Sequence, residues 1–121
     1  EALRQVATVA GQALPCIIGG DTAPLVSDLL STGTRFVICP AETDRQAFLA
    51  QTKAHPEVKV RVNLDPRIYT QGTRHAIRTA VDEVLALTAE YPGLLLGTGA
   101  IPYETPVENL LFLKAYCAGD A

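Results

Sequence analysis

The sequence predicts an α/β fold in which four parallel β-α units form half of a TIM-type (β/α)8 barrel. Four short apolar runs are each followed by a stretch with helical spacing of apolar residues, at residues 15–19, 35–39, 58–64 and 93–97. Such alternation is typical of parallel strands joined by crossover helices. The strand starts recur every 20 to 35 residues in a chain of 121 residues, whereas a complete barrel needs about 250 residues.

The competing architecture is a small, open, doubly wound sheet. Such a sheet closes its core within about 120 residues and usually carries a glycine-rich phosphate turn. The sequence Gly19-Gly20-Asp21-Thr22 after the first apolar run matches that turn only in part. Because it lacks the full G-x-G-x-x-G spacing, it argues against a nucleotide site.

The amino-terminal half alternates between helical and strand patterns. Residues 1–13 place apolar side chains at helical spacing, and residues 16–18, apolar on both faces, predict a strand covered on both sides. Residues 22–30 predict a second helix, ended by Gly33 in a left-handed conformation. Residues 36–39 then predict the second strand.

Start signals place the helices of the carboxyl-terminal half. Thr43 and Gln46 form a capping box for a helix that ends near residue 54. Thr73 is the predicted cap of the longest helix. Thr105 is the predicted cap of the last helix, because a proline and a glutamate follow it at the favoured positions.

The third predicted strand, residues 58–64, differs from the other apolar runs because apolar and polar residues alternate along it. Successive side chains of a strand point to opposite faces. One face of this strand is therefore predicted to meet water or to line a polar cavity, so the sheet is not buried uniformly.

Composition and charge exclude several classes of protein. The chain is 48% hydrophobic and 19% charged, as expected for one folded domain spanning residues 1–121. Its net charge of −3 provides no basic field for nucleic acid or an anionic membrane, so we expect neither as a partner. No apolar run approaches the roughly 20 residues that a membrane span needs.

The sulfur-containing residues indicate the cellular compartment. Cys16, Cys39 and Cys117 are odd in number and widely spaced, which favours free thiols in a reducing compartment, so we expect a cytoplasmic protein. A metal pair of Cys16 and Cys39 lacks any close C-x-x-C spacing. The chain contains no Met, and we therefore expect it to be a piece of a longer protein.

The carboxyl ends of the predicted strands are the places where ligands of parallel α/β proteins bind. Here they carry polar residues and glycines. Arg67 can bind a carboxylate as a fork, and Asp21 can accept a hydrogen bond from a polar head group. No catalytic residue and no metal site is predicted. We predict substrate contacts at Asp21, Asn63, Asp65, Arg67, Gly97, Gly99 and Tyr103.

Structural roles compete for the same residues. Asp21 also suits the N-cap of the helix that follows it. Asp65 equally suits the start of a turn, in which Arg67 pairs with a neighbouring acid. Gly97 and Gly99 allow either a close approach of the backbone to a bound carboxylate or phosphate, or a tight turn.

Four loop motifs occur in a distinctive order: Gly20-Asp21-Thr22-Ala23-Pro24, Asn63-Leu64-Asp65, Gly72-Thr73, and Gly97-Thr98-Gly99-Ala100-Ile101-Pro102-Tyr103-Glu104-Thr105-Pro106-Val107-Glu108-Asn109. In this order they resemble the carboxyl-terminal half of the uroporphyrinogen decarboxylase superfamily. The resemblance spans about residues 15 to 118, and its most specific part is the Ile-Pro-x-x-Thr-Pro-x-Glu-Asn segment. It implies an eight-fold barrel and a parent enzyme that decarboxylates a porphyrinogen-type substrate without a cofactor.

The superfamily also includes zinc-dependent methyltransferases that move methyl groups between corrinoid proteins and thiols. The positions that match their zinc ligands are Ile17, Gly19 and Gly99, and none of these residues binds zinc. The histidine of the decarboxylases also falls on Gly99, which leaves Asp21 and Arg67 as substrate binders only. Two alternative functions therefore stand beside the decarboxylase: a methyltransferase relative without the zinc ligands, and a non-catalytic domain that binds a small molecule or a corrinoid protein.

The expected partners are a small-molecule substrate and a further protein chain. Half a barrel has two unpaired strand edges and an uncovered inner face, and both favour association. We expect a homo-oligomer, or pairing with the missing half of the barrel. The isolated chain is expected to catalyse nothing.

Overall fold

The computed structural model describes residues 1–121 and confirms an α/β fold, with a three-stranded parallel sheet and six α-helices. Single turns of 3-10 helix, Ala23–Leu25 and Leu87–Ala89, precede the second helix and follow the fifth. The strands are β1 (Phe36–Cys39), β2 (Lys59–Asn63) and β3 (Leu94–Gly97). The helices are α1 (Ala2–Ala10), α2 (Val26–Ser31), α3 (Arg45–Thr52), α4 (Pro66–Thr70), α5 (Arg74–Ala86) and α6 (Val107–Ala118).

The sheet has the order β1-β2-β3, and both pairs of neighbours are parallel. In the register, Val37 lies opposite Val60, which lies opposite Leu94. Since all strands run the same way, their carboxyl ends meet at one edge, as the sequence predicted for the second, third and fourth runs.

The strand predicted at residues 16–18 is reduced to a single bridge between Cys16 and Val37, so the sheet has three strands rather than four. The Cys16 N–H donates to the Phe36 carbonyl at 3.0 Å. Ile17 is 74% exposed and Ile18 is 40% exposed. Without a second layer over these side chains, and with two glycines following them, the pairing ends after one residue. The sheet is open.

The core lies on one face of the sheet. Val60 and Val62 of β2 are buried, whereas Arg61 and Asn63 on the opposite face are only half-buried, which confirms the alternation predicted for this strand. On β3 the open face carries Leu95, which is 45% exposed. The helices contribute to the core cluster chiefly through Phe48, Leu49, Ile77, Val81, Val84, Phe112 and Leu113.

Of the predicted caps, one is confirmed and two are wrong. The Thr73 hydroxyl accepts from the Ala76 N–H at 3.2 Å and caps α5. Thr43 does not cap α3, because its hydroxyl accepts a hydrogen bond from the Ala23 N–H. Asp44 caps the helix instead. Thr105 does not cap α6, whose N-cap is Pro106, since the Thr105 hydroxyl bonds to the Thr70 hydroxyl at 3.0 Å.

The remaining differences concern helix boundaries. Helix α1 ends earlier than predicted because Gly11 adopts a positive φ of 70°, and none of its residues is buried. Gly33 has the predicted left-handed conformation, with a φ of 81°. The turn predicted at residues 65–66 is instead the start of α4. None of the helices combines the length and the hydropathy that a membrane crossing requires.

Candidate functional site

A cavity of about 290 Å³ opens at the carboxyl edge of the sheet. It is walled by residues 17–19 after the Cys16 bridge, by the end of β1 and residues 40–42, by the end of β2, and by residues 98–100 after β3. The segments that follow the carboxyl ends of all four predicted strands, called the rim segments below, therefore contribute to one cavity, which lies on the open face of the sheet.

Arg61 and Asn63 form the polar floor of this cavity. Both project from the open face of β2 and are half-buried. The Arg61 Nε donates to Asn63 Oδ1 at 3.2 Å. The two Nη groups of Arg61 have no hydrogen-bond acceptor in the chain, and Arg61 forms no salt bridge. The floor therefore presents an unpaired guanidinium edge.

Two glycines of β3 and its loop make room for this floor. A Cβ at Gly97 would lie 2.7 Å from both Arg61 Cδ and Asn63 Oδ1. Gly99 has a φ of 67°, and a Cβ there would lie 3.1 Å from Asn63 Nδ2. The backbone at both glycines therefore lies against the side chains of the floor. Its approach to a bound carboxylate or phosphate stays a prediction.

The loop after β3 is anchored by a hydrogen bond from the Tyr69 side chain. This side chain is fully buried, and its hydroxyl donates to the Thr98 carbonyl at 2.6 Å and lies 3.5 Å from the Ala100 carbonyl. Burial, with a smaller contribution from the charge of Asp65, raises the pKa of Tyr69, which favours the protonated hydroxyl that donates this bond. The backbone N–H groups of residues 98–100 donate to no acceptor in the chain.

The segment that carries the resemblance ties α6 to the region of α4. The Asn109 Nδ2 group donates to the Tyr69 carbonyl at 2.9 Å and to the Gly72 carbonyl at 3.4 Å. The Thr105 hydroxyl bonds to that of Thr70. These motif residues position the rim from outside the cavity.

Asp21 takes part in a hydrogen-bond cluster beside the cavity. The buried Thr43 hydroxyl accepts from the Thr22 and Ala23 N–H groups at 3.2 and 2.8 Å and donates to Asp21 Oδ1 at 2.8 Å. Asp21 makes no helix-capping bond. It does not line the cavity, although Gly19 does.

Arg67 pairs with Asp65, as in the ion pair that the sequence offered beside substrate binding, but Asp65 begins a helix and not a turn. Asp65 caps α4 by accepting from the Arg67 N–H at 2.9 Å, and it also accepts from Arg67 Nη2 at 2.5 Å. The hydrogen bonds from Arg67 hold the pKa of the Asp65 carboxyl below its usual value. The Arg67 side chain is 80% exposed, and neither residue lines the cavity. Tyr103 is fully exposed and also lies outside it.

Neither a metal site nor a known relative assigns a function to the cavity. No group of three or more His, Cys, Asp or Glu side chains is placed to hold a metal ion. Cys16 and Cys39 are buried free thiols, and burial raises the pKa of Cys39 to about 11. The sequence matches no protein-family profile, and no match was found among curated proteins or solved structures.

Sequence reasoning missed Arg61, Thr43 and Tyr69 as site-forming residues. For Arg61 a signal existed, because it is the charged residue in the middle of the alternating strand. Thr43 matched a helix cap, and Tyr69 belonged to a segment without a strong pattern. Of the predicted contacts, Asn63 and Gly99 line the cavity and Gly97 supports its floor.

Proposed function

We propose that this chain is the carboxyl-terminal part of a uroporphyrinogen decarboxylase-like enzyme, and that its cavity belongs to a pocket for a small organic acid. The observation that carries the proposal is the position of the cavity, at the carboxyl edge of a parallel sheet and walled by all four rim segments. This edge holds the substrate in parallel α/β enzymes generally. We further propose a cytoplasmic location for the protein.

Half a barrel is the larger architecture that we propose. The Cys16 bridge extends the order β1-β2-β3 by one position, which gives four parallel segments in sequence order. The core lies on one face of the sheet, as the helical ring of a barrel lies outside its strands. The open face with Arg61 and Asn63 would then face the barrel interior, and further strands would come from the missing half or from a second copy.

The chemistry we propose is decarboxylation of a porphyrinogen-type acid. It requires a carboxylate to be held beside an acid that protonates the pyrrole-stabilised intermediate, and it needs no cofactor. Arg61 and Asn63 supply hydrogen-bond donors at the cavity floor. Asp21 and Arg67 stay proposed substrate binders, as contacts of a molecule that extends beyond the cavity along the rim.

The test is turnover of uroporphyrinogen by the longer protein, followed by chromatographic analysis of the oxidised porphyrin products. We expect stepwise loss of carboxyl groups with the longer protein and none with the 121-residue chain alone. Decarboxylation by the chain alone, or an inactive longer protein, contradicts the proposal.

The two alternative functions have their own signatures in the same experiment. Stoichiometric zinc in the purified longer protein, with methyl transfer to a thiol, would identify a methyltransferase relative. An inactive longer protein that binds a porphyrinogen tightly would identify a non-catalytic binding domain.

A further inference from the structure

We infer that the cavity floor is a subsite for a single carboxylate group, held by the two Nη groups of Arg61 and by the Nδ2 group of Asn63. This deepens the proposed function, on which it rests for the placement of the site in a substrate pocket. The inference names the chemical group that the cavity binds, and this group can be tested with a small acid instead of a porphyrinogen.

The first argument is the state of the guanidinium group. Asn63 Oδ1 engages only Nε, so both Nη groups are free for an acceptor. The surroundings do not neutralise the group: Gly97 leaves space for the side-chain stem, and Ile38 and Leu64 add apolar walls to the cavity. A half-buried and unpaired arginine in a cavity can donate two parallel hydrogen bonds to a planar anion.

The second argument concerns the remaining donors around this guanidinium group. Asn63 Nδ2 donates to no acceptor in the chain, and the N–H groups of Thr98, Gly99 and Ala100 are also without internal acceptors. All four residues line the same cavity. Donors without internal acceptors, in residues that line a partly enclosed space, favour a ligand group that only accepts hydrogen bonds, such as a carboxylate.

The third argument distinguishes a carboxylate from a phosphate. The cavity contains one cationic residue, Arg61, and one acidic residue, Glu42. Arg61 can pair with one negative charge, whereas the second charge of a dianion would have no cationic partner, would be repelled by Glu42 and would cost more to desolvate. The size agrees, because a cavity of about 290 Å³ lies at the small end of ligand sites and suits a short acid or one acidic arm of a larger molecule.

The experiment is an NMR titration of the 15N-labelled 121-residue chain with propionate at constant ionic strength. Propionamide serves as the uncharged ligand of the same shape, and inorganic phosphate as the competing anion. We expect propionate to shift the amide signals of Thr98, Gly99 and Ala100, propionamide to leave them unchanged, and phosphate to bind more weakly than propionate.

Three variants separate a specific subsite from a general charge effect. Arg61→Gln is expected to raise the Kd for propionate by about tenfold or more, since it removes the charged guanidinium group. Gly97→Ala keeps every charge but places a methyl group 2.7 Å from Arg61 Cδ, and it should weaken binding as well. Arg35→Gln removes the same charge at the amino-terminal edge of the sheet, outside the cavity, and should leave the Kd unchanged.

The amide spectrum of each variant reports whether the fold is retained, and Gly97→Ala keeps the test decisive if Arg61→Gln unfolds. Absence of propionate shifts, equal weakening by Arg61→Gln and Arg35→Gln, or tighter binding of phosphate would overturn the inference. If propionate binds at Arg61 while the longer protein fails to decarboxylate uroporphyrinogen, the proposed function fails and the subsite stands. If the longer protein decarboxylates uroporphyrinogen while its cavity does not bind propionate, the subsite fails and the proposed function stands.

Discussion

Replacing Tyr69 with Phe removes one hydroxyl and nothing else, so it isolates the bond that holds the loop after β3. In the native chain this hydroxyl donates to the Thr98 carbonyl at 2.6 Å, and the ring is fully buried. A hydrogen bond of this kind contributes about 1 kcal/mol to stability, and its loss costs more when the acceptor stays buried. Thr98 is half-buried, so water can replace part of the bond. We therefore expect Tyr69→Phe to lower the free energy of unfolding by about 1 kcal/mol.

Chemical denaturation monitored by circular dichroism measures this difference, and a melting curve should show a fall in Tm of about 3 to 5 °C for a domain of this size. The NMR amide signals of residues 98–100 should shift more than those of the core strands, because the loop loses its anchor. Tyr103→Phe is the matched control, since that hydroxyl is fully exposed and unbonded. Equal stability of Tyr69→Phe and Tyr103→Phe would refute the assignment of an anchoring role.

Three further predictions concern stability and association. Gly72→Ala should lower the free energy of unfolding by about 2 kcal/mol or more, because its Cβ would overlap the Ile68 carbonyl, whereas Gly19→Ala meets no atom and should be nearly neutral by denaturation. Asp65→Asn should be less stable than the native chain at neutral pH. Since hydrogen bonds from Arg67 lower the pKa of Asp65, the native advantage is present above its unfolded value of 3.8 and should vanish as the pH falls through the lower folded value. A pH-independent difference would contradict this. Sedimentation should show an oligomer, and a compact monomer at micromolar concentration would contradict that expectation.

The parts of the fold that the sequence predicted are those in which local pattern and tertiary packing agree. Residues 36–39 and 59–63 form strands because their apolar positions meet the helices on one face. The run at 16–18 is apolar throughout, like residues 36–39, but it forms only a bridge because Ile17 and Ile18 have no covering layer. Whether this run forms a strand depends on tertiary contacts, which the local sequence pattern does not contain.

The position of the cavity could be predicted from the sequence, but only part of its lining could be. Strand order places the four rim segments together, so Asn63 and Gly99 could be found from their places after strands. The conversion of Thr43 from a helix cap into a partner of Thr22, Ala23 and Asp21 depends on contacts between loops that are about 20 residues apart. The capping-box motif includes only hydrogen bonds within one helix start, so it does not predict when tertiary hydrogen bonds replace them.

The open sheet face and the unpaired arginine constrain each other. A second chain that covered this face would remove Arg61 from water, and an isolated buried charge is strongly unfavourable. Covering the face therefore requires either a wet cavity or an anion on its floor. In the second case a carboxylate binds the assembled protein more tightly than the single chain, and by linkage the ligand must strengthen association to the same degree. Propionate should then promote the oligomer of the native chain but not that of Arg61→Gln, which has no charge to desolvate. If sedimentation with and without propionate gives the same association constant, the acid subsite and the association surface are independent.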